Sequence, residues 1–210
     1  PTNTIFVDDN ATGLNNGNSW NNAYTNLQTA IDVATAGQDI WIAAGTYYPS
    51  TAVDGVTSRF KTFLLKEDVD IYGGFDGADY IFENRTSTNE TILSGNNSSY
   101  NVIYVNSTYT GNITRNTVLD TLIIEGGRAT ALTVSGRGYR GGGINLENGA
   151  PTINNCIFRN NYATVSGNEI YVYNSAYPIF ENCIIEHTYN ASYNTNAIYI
   201  EVNLSAYSGS

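Results

Sequence analysis

Short stretches in which apolar and polar residues alternate recur at a fixed spacing in the last third of the chain. Gly142–Leu146, Asn168–Val172 and Asn196–Ile200 follow one another at intervals of about 27 residues. Between them, Pro151–Phe158 aligns with Pro178–Ile185 without a gap, so that Pro, Asn and Cys recur at equivalent positions. Alternation with a period of two is typical of β-strands, so the repeat predicts two strands in each period.

No helical stretch separates the strands within a period, which excludes the βαβ units of most parallel sheets. The repeat instead predicts an all-β solenoid with stacked coils of about 27 residues, in which equivalent residues lie about 4.8 Å apart. Asn155 is then stacked on Asn182 as an amide ladder, with turn propensity alone as the alternative reason for Asn at this position. Cys156 and Cys183 stack in the same way, either as free thiols or as a disulfide.

The chain before this repeat is less regular but follows the same pattern, and one domain is predicted for residues 1–210. Residues 1–48 are expected to form an N-terminal strand, a helical cap and the first coil, residues 49–140 irregular coils with insertions, and residues 141–210 the regular coils. Strands are predicted at residues 40–43, 63–65, 69–72, 91–93, 102–105 and 118–124, with corners at Gly73-Gly74 and Gly126-Gly127. Loops that carry any binding surface are expected at residues 49–58, 76–89, 109–116 and 129–140.

One segment, from about Asn26 to Ala36, has the periodicity of an amphipathic helix. Its apolar face contains Leu27, Ile31 and Ala34. Thr25 and Gln28 predict a capping box, and Gly37 is expected just beyond the C-terminal end of the helix. A single helix ahead of a solenoid is expected to cover the open apolar end of the first coil.

The chain has a net charge of −10, with 19 acidic residues against 9 Lys and Arg. An acidic protein repels phosphate backbones and anionic lipids, so no nucleic-acid partner is expected. Only 13% of the residues are charged while 41% are hydrophobic, which favours a folded extracellular β protein over a disordered chain. No apolar run approaches the roughly 20 residues of a membrane-spanning helix, so no transmembrane segment is expected.

Nine Asn-x-Ser/Thr sequons make glycosylation a hypothesis; the alternative is that Asn and Thr are simply frequent in the turns of such a chain. Either explanation places these residues in exposed turns, where a glycan has room. The candidate glycosylation sites are Asn10, Asn84, Asn89, Asn96, Asn97, Asn106, Asn112, Asn190 and Asn203.

The usual catalytic clusters are not visible in the sequence. No Asp follows Asp120, and the later glutamates are scattered singly. Glu181 and Glu186 bracket one repeat segment, but a glycosidase pair also needs a cleft and a defined separation. His187 is the only histidine, which excludes a histidine metal cluster. We therefore predict that the protein is not an enzyme and holds no cofactor.

Two weaker features bear on ligands. Asp8, Asp9 and Asn10 offer oxygen ligands, but their spacing differs from that of a calcium loop, so a turn is preferred and a Ca²⁺ site is the alternative. Tyrosine rings offer stacking platforms for sugars, with packing on the strand surface as the alternative. The tyrosines considered are Tyr24, Tyr47, Tyr48, Tyr72, Tyr80, Tyr171, Tyr173, Tyr199 and Tyr207.

A set of longer motifs extends over nearly the whole chain: Ile5–Gly13, Asn18–Trp20, Leu27-Gln28, Asp39–Pro49 and Ile71–Phe75. Together they resemble bacterial secreted pectin-lyase-like β-helix proteins. Gly141–Ile144 with Phe158–Asn161 is similar to the paired motifs of polymorphic outer-membrane protein and surface-adhesin repeats. The resemblance implies a right-handed, single-stranded parallel β-helix at the cell surface or outside the cell. Ile185–Thr188 departs from the Phe-x-x-Asn element, so the repeat weakens towards the C-terminus.

These observations predict a secreted, non-catalytic structural or adhesive protein. Asn196–Tyr207 is expected to form a last coil without an obvious cap, so that an end-on or strand-donated contact with another copy builds a filament or surface layer. The alternatives are the N-terminal part of a large adhesin and a polysaccharide-binding or polysaccharide-lyase-like β-helix, whose partner is a surface glycan. A groove lined by aromatic residues and paired carboxylates would distinguish the polysaccharide reading.

Overall fold

The computed structural model describes residues 3–131, 138–186 and 196–202, which form mostly short strands with few helices. The strands are β1 (Thr4–Val7), β2 (Gln38–Ala43), β3 (Gly45–Tyr47), β4 (Phe63–Leu64), β5 (Val69–Phe75), β6 (Thr91–Ser94), β7 (Ile103–Asn106), β8 (Val118–Asp120), β9 (Ile123–Glu125), β10 (Arg128–Ala129), β11 (Ile144–Glu147), β12 (Thr152–Asn154), β13 (Ile157–Arg159), β14 (Tyr162–Ala163), β15 (Ile170–Asn174), β16 (Ile179–Glu181), β17 (Ile184–Glu186) and β18 (Ile198–Val202). The helical elements are α1 (Leu27–Val33), the single turn α2 (Ser107–Thr110) and two 3-10 turns at Ser58–Phe60 and Phe82–Asn84.

Three parallel sheets account for nearly all of the described strands. Sheet 1 has the order β1-β2-β5-β8-β12-β16, sheet 2 the order β3-β6-β9-β13-β17 and sheet 3 the order β4-β7-β11-β15-β18, while β10 and β14 pair separately. From β2 onwards the chain visits sheets 1, 2 and 3 in turn and then returns to sheet 1. The prediction of parallel β-strands with few helices is confirmed, and the arrangement is compatible with a β-helix.

One continuous core lies on the inward side of all three sheets. Strands in parallel register place like residues in columns, because their side chains alternate between the two faces. In sheet 1 the column contains Ile71, Leu119 and Ile153, and sheets 2 and 3 add columns such as Leu93-Ile124-Phe158 and Ile103-Ile144-Ile170. All of these side chains are buried in one cluster.

The register agrees with the repeat predicted for the regular part of the chain. Thr152 pairs with Ile179, and Ile144 pairs with Ile170, which pairs in turn with Ile198. These pairs are all separated by about 27 residues. Pairing of Ile103 with Ile144 spans a longer connection, because loops are inserted between the earlier strands.

A residue in the left-handed conformation marks three of the corners between sheets 1 and 2. Thr121, Asn155 and Asn182 have φ values of 56°, 51° and 52° at equivalent positions. The single strand predicted at residues 118–124 is therefore wrong, since Thr121 divides it into β8 and β9. Asn tolerates this conformation better than most residues, which gives a backbone reason for its recurrence.

An amide–amide hydrogen bond lies at a corner for which no ladder was predicted, while the ladder of Asn155 on Asn182 stays a prediction. Asn155 is exposed and donates to Asp120, at 3.3 and 3.2 Å from the two carboxylate oxygens. Between sheets 3 and 1, by contrast, Asn174 Nδ2 donates to Asn148 Oδ1 at 2.6 Å. Asn148 and Asn174 have φ values of 64° and 62°, so this hydrogen bond also lies at a left-handed corner.

Of the two predicted glycine corners, the one at Gly126-Gly127 is confirmed and the one at Gly73-Gly74 is wrong. Gly126 has a φ of 74° and, with Gly127, forms the corner between β9 and β10. Gly73 and Gly74 instead lie inside β5, where the register with β2 shifts between Trp41 and Ala43. A side chain at Gly73 would clash with the Thr121 carbonyl oxygen, so the close contact between coils requires glycine.

Helix α1 begins later and ends earlier than its sequence pattern predicts. Asn26, rather than Thr25, is the N-cap, because its side chain accepts the Thr29 amide at 3.0 Å. Gln28 does not close a capping box but bonds both backbone groups of Leu64, the edge residue of β4, at 2.9 and 3.2 Å. Leu27 and Ile31 are buried in the core, so α1 covers this end of it as expected.

A second apolar cluster lies outside sheet 1. Phe6 and Trp41 point outwards from β1 and β2, and Trp20 and Phe75 pack on them. Trp20 Nε1 also donates to the Asp79 carbonyl at 2.7 Å. The cluster therefore fastens both the N-terminal segment and the loop after β5 to the outer face of sheet 1.

Glu169 is buried at the start of β15 without an ion-pair partner among the described residues. Asn161 provides its hydrogen bonds, from Nδ2 at 2.5 Å and from the backbone amide at 3.3 Å. The same Asn161 side chain also bonds Gly127 and Ile124 in the neighbouring coil. Burial raises the pKa of Glu169 to about 7, although Asn161 and Arg128 favour its charged form.

Cys156 and Cys183 occupy equivalent corner positions and are free thiols. The Cys156 thiol is 3.1 Å from the carbonyl oxygen of Asn154, and that of Cys183 is 3.4 Å from the carbonyl oxygen of Ile153. Burial raises the pKa of both thiols. Of the two alternatives, the structure contains the stacked thiols.

Candidate functional site

The best-organised groove lies where the loop after β5 crosses the outer face of sheet 1. Asp76 begins this loop by accepting the amides of Ala78 and Asp79 at 2.8 and 2.9 Å, which lowers its pKa. The 3-10 turn that follows places Phe82 edge-on to Tyr72, with ring centroids 4.9 Å apart. Aromatic packing therefore fixes the wall of the groove.

Arg85 lies at the centre of this wall. Its Nη1 atom is 2.7 Å from Asp120 Oδ1 and 2.9 Å from Thr121 Oγ1. The guanidinium also lies over the rings of Phe82 and Tyr72, 4.3 and 5.3 Å from their centroids. Because an ion pair, a hydroxyl and two rings hold it, the guanidinium is oriented before any ligand arrives.

The Asp120 carboxylate is saturated by its neighbours. Besides Arg85, it accepts the Thr121 hydroxyl at 2.6 Å and the Asn155 amide at 3.2 and 3.3 Å. The side chain of Asp120 is only 9% exposed. A carboxylate with this many donors is a structural anchor, since its lone pairs are already engaged.

The groove itself has a volume of about 510 Å³. It is lined by Phe82, Glu83, Arg85, Thr86, Ser87, Thr121 and Asn155. One aromatic ring among hydroxyls, an amide and a fixed guanidinium suits a ligand with apolar faces and many hydroxyl groups. We call this site the Arg85 groove.

Acidic residues continue along the outer face of sheet 1, beside the groove. Asp39 pairs with Asp70 across neighbouring strands. The pKa of Asp39 is raised by burial and by the charge of Asp70, and that of Asp70 mainly by burial. Tyr72 donates to Asp70 Oδ2 at 3.1 Å, which orients its ring, and burial raises the pKa of Tyr72.

The predicted calcium candidates form a turn. The Asn10 amide donates to Asp8 Oδ1 at 2.9 Å, and Asn10 Nδ2 to Asp9 Oδ1 at 2.7 Å. Burial and the charge of Asp8 raise the pKa of Asp9. No group of three or more His, Cys, Asp or Glu side chains suited to a metal occurs within the described residues. A Ca²⁺ site at these residues stays a prediction.

The sequons differ in exposure. Asn89 and Asn106 are half-buried, and their amides donate to the Gly74 carbonyl and to Glu147. Asn190 and Asn203 lie outside the described residues, as do His187 and Tyr207. The exposed sequons are Asn10, Asn84, Asn96, Asn97 and Asn112.

The structure places the glutamate and tyrosine candidates on different sheets. Glu181 and Glu186 end neighbouring strands β16 and β17 in different sheets, outside the groove. Tyr171, Tyr173 and Tyr199 stack on one another on sheet 3, with centroids 5.4 to 6.1 Å apart. Of the tyrosines considered, Tyr72 is the one that packs against Arg85.

Sequence reasoning missed the pair at the centre of the groove. Arg85 and Asp120 are 35 positions apart, and neither belongs to a motif. A weak signal was available, since residues 76–89 were expected to form a loop that carries binding residues. Phe82 and Arg85 both come from that loop.

No family model, no curated protein and no solved structure matches the chain. Among the described residues, no helix has the length and apolar character needed to cross a membrane. The site must therefore be interpreted from its own geometry.

Proposed function

We propose that the chain is a right-handed parallel β-helix that acts outside the cell as a non-catalytic adhesive protein and binds a polysaccharide in the Arg85 groove. The observation that carries this proposal is the fixed guanidinium of Arg85 beside Phe82 and Tyr72. The fixed guanidinium can bond sugar hydroxyls, and the part of Phe82 that lines the groove adds apolar surface for a sugar ring. The succession of three parallel sheets supports the β-helix, and its hand comes from the family resemblance.

The hydrogen bonds that already engage the Asp120 carboxylate favour binding of a polysaccharide over its hydrolysis. Glycosidases use one carboxyl group as an acid and a second as a base or nucleophile. Asp120 is saturated by Arg85, Thr121 and Asn155, so it is poorly placed to take or give a proton. Among the residues that line the groove, Glu83 provides a single carboxylate, and it comes from the exposed loop.

Affinity electrophoresis tests the proposal. The protein is run through gels that contain carboxymethyl cellulose, xylan, polygalacturonate or alginate, and its retardation is compared with that of Arg85→Gln. Arg159→Gln is the matched control, because it breaks a similar ion pair, 2.8 Å to Glu125, on the outer face of sheet 2. Circular dichroism verifies that both variants are folded.

We expect at least one polysaccharide to retard both the wild-type protein and Arg159→Gln. Prolonged incubation of that polysaccharide with the wild-type protein should release no sugar fragments. Arg85→Gln should migrate as it does in an empty gel. Equal loss in both variants, or no retardation of the wild-type protein in any gel, would overturn the proposal. Release of fragments would replace adhesion with enzymatic cleavage.

Self-association is a second candidate, favoured by β18, which is the last strand of sheet 3 within the described residues. Ile198 and Ile200 are in register with the core residues Ile170 and Val172, yet they are 43% and 61% exposed. A second copy is the occupant that we infer, since it offers the same edge strand and apolar residues. At the other end of sheet 3, Gln28 already occupies the edge of β4, so contact between like ends is favoured.

Analytical ultracentrifugation and negative-stain electron microscopy test this candidate. Like-end contact predicts a dimer, whereas the filament expected from the sequence needs contacts at both ends. Ile200→Lys should give a monomer, while Val165→Lys, at another exposed apolar position, should not change the mass. A monomeric wild-type protein at all concentrations would contradict self-association.

A further inference from the structure

A second cleft lies at the opposite border of sheet 1, at the corner that leads in from sheet 3. Its volume is about 460 Å³, and residues 112–116, 148–150, 175 and 177 line it. Asn148, which accepts the hydrogen bond from Asn174, is one of the lining residues, and the Ala150 amide bonds the Ile113 carbonyl at 2.8 Å. Ile113 is buried in the core, so the cleft is fastened to the body of the protein.

The lining of this cleft resembles that of the Arg85 groove in its chemistry. Tyr177 is 46% exposed and offers a ring. Arg115 is exposed and has no ion-pair partner among the described residues. Glu67 fixes the segment by accepting the Thr114 amide at 2.8 Å and its hydroxyl at 2.7 Å. The cleft therefore presents a positive charge and an exposed ring, although the chain as a whole has a net charge of −10.

Strand β12 connects the two sites directly. Ala150, just before β12, lines the cleft, and Asn155, just after it, lines the Arg85 groove. Five residues of extended chain span about 16 Å. Thr152 and Asn154 alternate with the buried Ile153, so both point outwards between the two sites.

An unsatisfied acceptor lies on this path. Asn154 Oδ1 is buried and has no hydrogen-bond donor within the part of the chain that the structure describes. Buried polar atoms normally have a partner, because leaving one unpaired costs about 1–3 kcal/mol. A hydroxyl group of a ligand that lies along β12 would supply the missing donor once the Asn154 side chain, whose Oδ1 is buried in the free protein, turns towards it.

We propose that one extended polysaccharide chain lies along β12, with one sugar in the Arg85 groove, a hydroxyl on Asn154 Oδ1 and a second sugar between Arg115 and Tyr177. This inference rests on the proposed function and adds to it a second subsite and a minimum ligand length. Two subsites on one rigid face bind a long ligand more tightly than either binds alone, because the second contact is intramolecular.

Isothermal titration calorimetry with size-fractionated hydrolysates of the four gel polysaccharides, from dimers to decamers, tests the inference. Decamers should bind the wild-type protein more tightly than dimers. Arg115→Gln and Tyr177→Ala should each weaken decamer binding by roughly tenfold or more and leave dimer binding unchanged. Arg85→Gln should weaken both. Lys61→Gln removes an exposed cation elsewhere and should change neither.

The outcomes separate the two proposals. If dimers and decamers bind equally well, or if Arg115→Gln and Tyr177→Ala both behave like Lys61→Gln, the second subsite is refuted while the Arg85 groove stands. If Arg85→Gln has no effect but the cleft variants do, the groove is refuted. Absence of binding to any probe would overturn the proposed function and this inference with it.

Discussion

Glu169 should make the protein less stable as the pH rises from about 4.5 to 7. Its pKa is about 7 in the folded chain and 4.5 in an unfolded one, so the folded state binds the proton more tightly. The resulting stability is fully present below pH 4.5 and is lost as the pH rises through 7. At 1.36 kcal/mol for each unit of pKa difference, the loss amounts to about 3 kcal/mol.

Urea denaturation at pH 5, 6, 7 and 8 measures this effect when the wild-type protein is compared with Glu169→Gln. The variant carries a neutral side chain of the same shape, so it should be the more stable protein at pH 8 and should gain little at pH 5. Taking the difference between the two proteins removes other titrating groups such as Asp39 and Asp70. Glu90→Gln, at an exposed position, serves as the control.

A difference in unfolding free energy that stays constant from pH 5 to pH 8 would refute this reasoning. It would mean that Asn161 and Arg128 compensate for the burial of Glu169 and keep its carboxylate charged throughout. Asn161→Ala would then be destabilising at both pH 5 and pH 8, since it removes the Nδ2 hydrogen bond to a carboxylate that is charged at both.

Three further predictions concern packing, capping and modification. Phe158→Ala should lower the unfolding free energy by about 3–5 kcal/mol in urea titrations, because the ring is fully buried; a loss below 1 kcal/mol would contradict the core described here. Asn26→Ala should cost about 1 kcal/mol, while Asn26→Asp, which keeps the cap, should cost little; equal losses would argue against the N-cap. Expression in a glycosylating host followed by peptide mass spectrometry should find glycans at exposed sequons and none at Asn89 or Asn106, and occupancy of the two half-buried sites would refute this selection. The exposed sites are Asn10, Asn84, Asn96, Asn97 and Asn112.

The regular part of the fold is predictable because similar residues recur at equivalent positions of each coil. Pro151–Phe158 aligns with Pro178–Ile185, and the pairing of Thr152 with Ile179 follows that alignment. Thr121 shows where this reasoning stops. It adopts the same left-handed corner as Asn155, yet Thr is neither Gly nor Asn, so nothing in its residue type indicated a break.

The groove was harder to predict because it depends on where a loop returns to the sheet. Arg85 contacts Asp120 in a loop that is held against the sheet by the packing of Phe82 on Trp41 and Phe75. Such contacts depend on three-dimensional packing and leave no periodic trace. The family resemblance and the extracellular role stay predictions, since they concern relatives and location rather than geometry.

Connections of very different length join sheets 1 and 2 without disturbing the register. Residues 76–90 link β5 to β6, whereas Thr121 and Leu122 alone link β8 to β9, yet Ile71 still pairs with Leu119 and Ile92 with Ile123. Differences in loop length therefore leave the strand register unchanged, and the entropic cost of a longer loop grows only slowly with its length. Insertions or deletions at these connections, in evolution or by protein engineering, can therefore change the recognition surface while the stacked strands keep their register.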